Sequence, residues 1–381
     1  MRERGLSAAQ LAQQQAQLLG QDRPWSRVFN SICTQPHPLA LEAAMQTLHT
    51  NLGDVRIFAG TAQMAQQVTQ RLGALMQGPH SRGLLVSGGT EANLLALHVA
   101  RLRRPDITQG EVIAGETVHF SLRKACTLLG LRLRTAALDE RLRLRAAAVQ
   151  ALITPQTLAI VGTAGSSEFG AVDALDELSA LALQQGLHLH VDAATGGFII
   201  PFARALGHAL PPCDFSLEGV SSITLDPHKY GLSIIPSGAL LLRDDSLPAG
   251  LQQDSFFART PTHHSLLGTR SGAAAAATLA VLDGLGFEGY VAQTRANYAR
   301  TAYLVQGLRA HGYALMLAPE LNIVCVALPQ AEALAQALEQ RGWIISVSTR
   351  YQHALRLVVQ RHVDEAMIDA FLHDLHALAP P

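Results

Sequence analysis

A chain of 381 residues is long enough for a large domain with a full core and a smaller one beside it. With 48% hydrophobic and 15% charged residues and a formal net charge of −1, it has no global field to draw nucleic acid or an anionic membrane. No apolar run approaches the ~20 residues that span a bilayer, and Met1 to Gly20 lacks the basic-then-apolar order of a secretory signal.

Cys33, Cys126, Cys213 and Cys325 lie far apart with no CxxC pair. That pattern indicates neither a disulfide framework nor a zinc site and fits a reducing cytoplasm. Leu6 to Leu19 predicts a short helix that Gly20 ends, and Arg23-Pro24 marks the exit. From about residue 83, strand-sized apolar runs alternate with helical ones. Gly83 to Val86 reads as a strand, followed by a helix from Thr90 to Leu102 with Leu95, Val99 and Leu102 on one face. Val112 to Ala114 is the next strand, with a helix from Phe120 to Leu129. Leu158–Val161, Leu187–Val191, Ile223–Leu225 and Ala239–Leu242 supply further short strands. Because these runs are continuously apolar, the sheet they form is covered on both faces.

A long helical stretch from Gly289 to His311 leads to a different order of elements. Asn322–Ala327 predicts a strand, Ala331–Arg341 a helix, and Trp343–Val347 and Ala354–Val359 two more strands. The closing helix places Ile368, Phe371, Leu372 and Leu375 on one face. The fold class expected is α/β, a large domain with a mostly parallel sheet covered by helices, plus a small C-terminal α+β domain. The division expected is an N-terminal helical segment over residues 1–50, a large domain over 51–288 and a small one over 289–381.

Among 29 Lys plus Arg residues only two are lysines, Lys124 and Lys229. Arginine is a permanent cation and cannot serve as an amine nucleophile. A lysine kept in such a background is a candidate for its amine, although chance survival of two lysines is the bland alternative. Lys124 follows Arg123 inside an amphipathic helix and is the weaker candidate.

Three strand ends carry chemistry, because ligands of open α/β sheets sit outside the carboxyl ends of strands. Ser87-Gly88-Gly89-Thr90-Glu91-Ala92-Asn93 joins a strand to a helix. Its glycines permit close backbone approach and its helix N-terminus offers N–H groups to a phosphate; the alternative is an N-cap by Thr90 after a tight turn. His188-Leu189-His190-Val191-Asp192-Ala193-Ala194 ends in a carboxylate able to pair with the protonated ring nitrogen of a heterocycle, beside a small Ala194 that lets a planar ring lie close. Alternation sets His188, His190 and Asp192 on one face, which also admits a metal constellation, or Asp192 simply caps the next loop. Asp226-Pro227-His228-Lys229 follows a third strand. A lysine buried there has its pKa lowered by desolvation and attacks an aldehyde; a solvent-facing lysine in an Asp-Pro turn is the alternative. A phosphate cradle, a ring-nitrogen partner and an aldehyde-reactive amine together match pyridoxal phosphate, with no metal assigned.

The sequence resembles the fold-type-I pyridoxal-phosphate (group II) amino-acid decarboxylases, and within them the tyrosine/aspartate decarboxylases of methanofuran and coenzyme A biosynthesis. The matching segments are SICTQPHP, NLGD, SGGTEAN, HFS, GTAGSSEFGAVD, HVDAATGGF, SITLDPHKYGL and GTRSG, in family order from Ser31 to Gly272, followed by the ALRLVV strand. The resemblance implies a fold-type-I, transferase-like large domain and decarboxylation of an amino acid to its amine and CO₂. It implies that Lys229 holds the cofactor as a Schiff base, with His228 beside it near the phosphate. Asp192 would hold the pyridinium proton, His119 would stack on the ring opposite Ala194, and Thr163 would lie close to it. Gly89 and Thr90 would bind the phosphate. Thr269 would reach the phosphate of a neighbouring subunit, so an obligate homodimer with shared active sites is implied. Arg356 is a substrate-carboxylate partner or else an exposed strand arginine.

Some positions depart from the family. No tyrosine, the proton donor of many relatives, occurs between Gly231 and Gly289, where the loop runs from Asp254 to His264. His263 or His264 is a substitute donor, or neither has a role. Thr195 follows Asp192-Ala193-Ala194 in place of a larger residue, and Gln360-Arg361-His362 stands where relatives often have Met-Pro-His. Both bear on substrate choice. An aldehyde-forming or other lyase reaction on an amino-acid-like substrate is the alternative within the cofactor class. A metal hydrolase and a non-catalytic binding module are alternatives outside it. The purified protein is expected to be yellow and to be bleached by borohydride, whereas Lys229→Ala is expected to be colourless; absorbance spectra check both.

Overall fold

The structure, a computed structural model, describes residues 1–244, 246–248, 250–254, 262–348, 350–351 and 353–380. Helix α1 (Ala8–Leu19) starts at a capping box, in which Ser7 accepts from Gln10 N and the Gln10 side chain accepts from Ser7 N. No residue of α1 is buried. Helices α2 (Pro38–Thr47) and α3 (Ala59–Leu75) fill a stretch where the sequence pattern assigns no element. In α2, Pro38 occupies the first turn, where its missing N–H costs nothing.

The alternating part follows in the expected order. It comprises β1 (Arg82–Val86), α4 (Gly89–Leu102), β2 (Glu111–Gly115), α5 (Phe120–Leu129), β3 (Arg132–Ala136), α6 (Ala146–Gln150) and β4 (Thr157–Thr163). After these come α7 (Leu175–Gln185), β5 (His188–Asp192), α8 (Ile200–Ala205), β6 (Val220–Leu225) and β7 (Gly238–Leu242). The seven strands make one sheet in the order β1-β7-β6-β5-β4-β2-β3. Neighbours from β6 through β3 are parallel, and β7 runs against both β1 and β6. Every residue of β2, β5 and β7 is buried, as expected for strands covered on both faces. The carboxyl ends of β1, β2, β4, β5 and β6 therefore open on one edge. That edge is the place for a ligand.

A short pair, β8 (Gln253–Asp254) and β9 (Thr262–His263), precedes the long helix α9 (Gly272–Ala310). The helix starts well before Gly289, because the alanine run Ala273–Ala277 has high helix propensity and is fully packed. Gly286, at a φ of 57°, kinks it. The chain then forms β10 (Ile323–Ala327), α10 (Ala331–Gln340), β11 (Ser346–Ser348), β12 (Ala354–Val358) and α11 (Glu365–Leu378). The strands lie antiparallel in the order β10-β12-β11. Ile368, Phe371, Leu372 and Leu375 of α11 are all buried, as their spacing predicts.

The strand expected over Trp343–Val347 is shifted to Ser346–Ser348, because Ile344 instead bridges Val28 near the N-terminus. Phe29 N–H donates to Ile344 O at 2.9 Å, and Val358 N–H to Phe29 O at 2.7 Å. The Phe29 ring enters the small core, 5.0 Å from the Phe371 ring and 5.9 Å from Trp343 between centroids. An early segment thus completes a late domain. No described helix is long and apolar enough to cross a membrane. Phe29→Ala is expected to cost about 3–5 kcal/mol, read as a lowered urea midpoint.

Candidate active site

A cavity of about 350 Å³ opens at the carboxyl edge of the sheet. Each strand end contributes to its wall: Gly88, Gly89 and Thr90 after β1, His119 after β2, Thr163 from β4, Asp192, Ala194 and Thr195 from β5, and His228 and Lys229 after β6. A larger hollow of about 560 Å³, lined by Arg71, Phe202, Phe287 and Tyr290 among others, contains none of these groups.

Lys229 is not a solvent-facing turn residue. Its side chain is 16% exposed, and Nζ lies 3.0 Å from Asp226 Oδ2. Burial pulls the amine's pKa down, but the charges of Asp226 and Asp192 outweigh it and the net shift is upward. This reverses the lowered pKa expected from desolvation alone. Two carboxylates on neighbouring strand ends are the reason. Asp226 is buried, and its Oδ1 has no hydrogen-bond partner among the described residues. His228 Nδ1 accepts from Ser237 N at 3.2 Å.

Helix α4 begins at Gly89 with Gly88 as its cap residue and no side-chain cap, so Thr90 is not the N-cap. The backbone N–H groups of the first turn are left for a ligand. Glu91 turns its carboxylate back onto Ser87, accepting from Ser87 N at 2.7 Å and Ser87 Oγ at 2.8 Å. The glycines are required by space. A Cβ on Gly88 would sit 2.9 Å from His228 Cε1, and one on Gly89 3.0 Å from Asp226 Oδ2 and 3.3 Å from Ala194 Cβ. Behind the turn, a Cβ on Gly238 of β7 would lie 2.4 Å from Gly88 Cα.

Asp192 Oδ1 accepts from Ala194 N at 3.1 Å, so the loop-capping role is real. Its other oxygen accepts from Asn93 Nδ2 at 2.9 Å. His119 is the N-cap of α5, with Nδ1 near Ser121 N at 3.3 Å and Ser121 Oγ at 2.8 Å. His188 and His190 share a face with Asp192 as alternation predicts, but both bond to Ser222 Oγ at 2.8 Å. No group of metal-ligating side chains is found among the described residues. The Thr163 backbone N–H donates to the buried Asp173 at 2.7 Å.

Four expected residues lie outside or behind this wall. Thr269 is exposed and lines a separate hollow of about 130 Å³ with Leu267, Ser87 and Gly238. His264 is not among the lining residues, His263 lies in β9, and residues 255–261 of the loop lie outside the described residues. Arg356 is 8% exposed, so it is no surface arginine. It donates to Ser167 O at 2.7 Å and Asn30 O at 2.9 Å, and Ser167 lines the cavity. Burial lowers its pKa, and no ion pair of Arg356 occurs among the described residues. Gln360 donates to Ile32 O, while His362 bonds Thr34 Oγ1 at 2.9 Å and Val28 O at 2.8 Å. Those two residues hold the N-terminal segment.

Asn93, Ser121, Asp226 and Ser167 were legible only as letters of motifs. Asn93 is the one with a signal, since an amide one turn into a helix among apolar neighbours invites a search for its partner. The Lys229 amine, the Asp192 carboxylate and the uncapped start of α4 after Gly88 line one cavity, a donor set that fits a phosphorylated aromatic aldehyde. The orphaned Asp226 oxygen and the crowding around Gly88 and Gly89 show that the wall is shaped for a ligand that approaches the backbone closely.

The pyridoxal-dependent decarboxylase conserved domain matches residues 23–329. A probable L-tyrosine/L-aspartate decarboxylase of Methanothermobacter thermautotrophicus is 43% identical over 354 residues, covering 92% of this chain and 97% of that protein. A probable L-aspartate decarboxylase of Archaeoglobus fulgidus is 38% identical over 353 residues, 93% of this chain and 95% of that one. Among solved structures, a sphingosine-1-phosphate lyase of Burkholderia pseudomallei has a TM-score of 0.91 at 26% identity, covering 99% of this chain and 92% of the other. A glutamate decarboxylase of Lactobacillus brevis shares the fold, with a TM-score of 0.91 at 21% identity over 99% of this chain and 93% of its own. The chain belongs to the pyridoxal-dependent decarboxylase family. It is an amino-acid decarboxylase whose cofactor is pyridoxal phosphate, on the fold expected from its motifs.

Burial lowers His188 from its ordinary 6.5 to about 3 and His190 to about 4. The unfolded chain protonates both near 6.5, so stability present above that pH is lost as pH falls through the window down to about 3. His188→Gln is expected to flatten the fall of unfolding free energy between about pH 6 and 5 by about 1.4 kcal/mol per pH unit, the value of one proton. Urea titrations across that range check it.

Proposed function

We propose that this enzyme decarboxylates L-aspartate, L-tyrosine or a close analogue to the amine and CO₂. The reading is carried by Lys229 and Asp192 meeting the glycine turn in one cavity, with the buried cation Arg356 behind its wall. Bound pyridoxal phosphate supplies an electron sink for the pair released when the Cα–carboxylate bond breaks. Lys229 provides the amine for its aldehyde. Gly89 and Thr90 hold its phosphate at the start of α4, with His228 alongside. Asp192 faces its ring nitrogen, where a buried carboxylate favours the protonated form. His119, Ala194 and Thr163 line the space for the ring, and Thr195 borders the substrate.

Arg356 binds the substrate carboxylate. A permanent cation bonded to two carbonyls retains donors for an anion. In this reading His263 or His264 is the substitute donor of the proton to Cα, since the loop lacks a tyrosine.

The working unit we propose is a homodimer. Supporting it, α1 buries none of its residues, and Met45, Leu48, Ile57, Ile235 and Leu266 are exposed. Thr269 is exposed and does not line the cavity of its own chain, as a residue serving a partner's phosphate would not. Division at residues 50 and 288 is part of the same proposal, supported by the kink at Gly286. Unpaired cysteines support a cytoplasmic location.

A screen of amino acids with product analysis tests the reaction. L-aspartate or L-tyrosine is expected to release CO₂ with an equal amount of amine. Aldehyde and ammonia without amine, or no CO₂ from any amino acid, would overturn the proposal.

A further inference from the structure

Asn93 of α4 is 1% exposed, and its side chain joins α4 to β5, β6 and the start of α5. Nδ2 donates to Asp192 Oδ2 at 2.9 Å and to Ser121 Oγ at 3.0 Å. Oδ1 accepts from Thr224 Oγ1 at 2.8 Å and faces His190 Nε2 at 3.0 Å. A carboxylate only accepts, so the NH₂ end of the amide is committed to Asp192. Each remaining bond then has a single direction.

On one branch, His190 presents Nε2–H to the amide oxygen. Its Nδ1 is therefore bare and accepts from Ser222 Oγ at 2.8 Å. That bond uses the only proton of Ser222, so His188 donates Nε2–H to the same oxygen at 2.8 Å. On the other branch, Ser121 Oγ receives the amide N–H and passes its own proton toward His119 Nδ1 at 2.8 Å. The Ser121 backbone N–H points at the same nitrogen at 3.3 Å. Two donors converge there, so Nδ1 carries no proton. A neutral His119 then has its hydrogen on Nε2.

We propose that Asn93 is a positioning residue that fixes both polar walls of the ring subsite at once, orienting the Asp192 carboxylate directly and setting His119, through Ser121, as its Nε2–H tautomer. The proposal rests on the reading that Asp192 and His119 face the cofactor ring. A neutral amide suits the task, because it orients the carboxylate without cancelling the charge meant for a pyridinium. An arginine or lysine at the same place would compete for that charge. Burial lowers His119, His188 and His190 alike, in keeping with three neutral rings in one chain of bonds.

Nitrogen-15 NMR of the histidine-labelled, cofactor-free protein tests the tautomer, with His119→Gln assigning the signal. The wild type is expected to show His119 protonated on Nε2 and bare on Nδ1. Asn93→Leu and Ser121→Ala are each expected to yield a mixture with Nδ1–H. Titration with pyridoxal phosphate, followed by absorbance, is expected to weaken binding by about ten- to a hundredfold in Asn93→Leu. Ser121→Ala keeps the Asp192 bond and is expected to lose less than Asn93→Leu. Asn93→Ser replaces the leucine variant if that one does not fold, with the same expectations. His119 found as Nδ1–H in the wild type, an unchanged tautomer in both variants, or undiminished cofactor affinity at position 93 would overturn the assignment. Neither readout involves substrate, so a failed substrate screen leaves both standing.

Discussion

A carboxylate at the end of a strand buried on both faces has to be satisfied where it stands. Asp192 is such a group, at the tip of β5 in the middle of the sheet, and the surrounding polar architecture follows from it. Ala194 N–H and Asn93 Nδ2–H solvate its two oxygens. Asn93 in turn has to be satisfied by Thr224 and His190, and His190 by Ser222. Polar side chains therefore line one face of β5 and β6 in an otherwise apolar interior, and they do so as a fully connected set. A half-connected set would cost more than an apolar core.

How much of this the sequence reveals depends on the range of the interaction. Strand-sized continuous apolar runs mark β1, β2 and β4 to β7, which are legible for that reason whether parallel to their neighbours or, like β7, antiparallel. Strand β3, written Arg132-Leu133-Arg134-Thr135-Ala136, lies at the sheet edge and pairs only with β2, so its arginines hide it. Helices α2 and α3 pack on α9, α2 burying Ala40 and Ala44 and α3 burying Thr61, Val68, Leu72 and Gly73, a pattern too weak in apolar contrast to stand out. At the site, the amine, Asp192 and the glycine turn are visible because each demands a particular residue type at a strand end. The partners of Asn93 and Asp226 come from distant positions along the chain. Only three-dimensional placement reveals them. The same holds for the charge on Lys229: burial is readable from the pattern, whereas the opposing pull of two carboxylates depends on which strand ends are neighbours.

The N-terminal segment shows how the small domain and the cavity are joined mechanically. Asn30 and Ile32 carbonyls accept from Arg356 and Gln360, Val28 O from His362, and Phe29 fills the core beneath. The same Arg356 reaches Ser167 at the cavity wall. One arginine thereby spans the N-terminal segment, β12 and the loop after β4.

Gly238 and Gly88 press back to back, so that β7 braces the turn from behind with no room for even a methyl group. The turn that lines the cavity has no elastic slack. The shape of the cavity wall and the packing of the sheet become a single trait here, inherited or lost together. An engineer wishing to widen the cavity at this turn would have to rebuild β7, the counter-running strand, first.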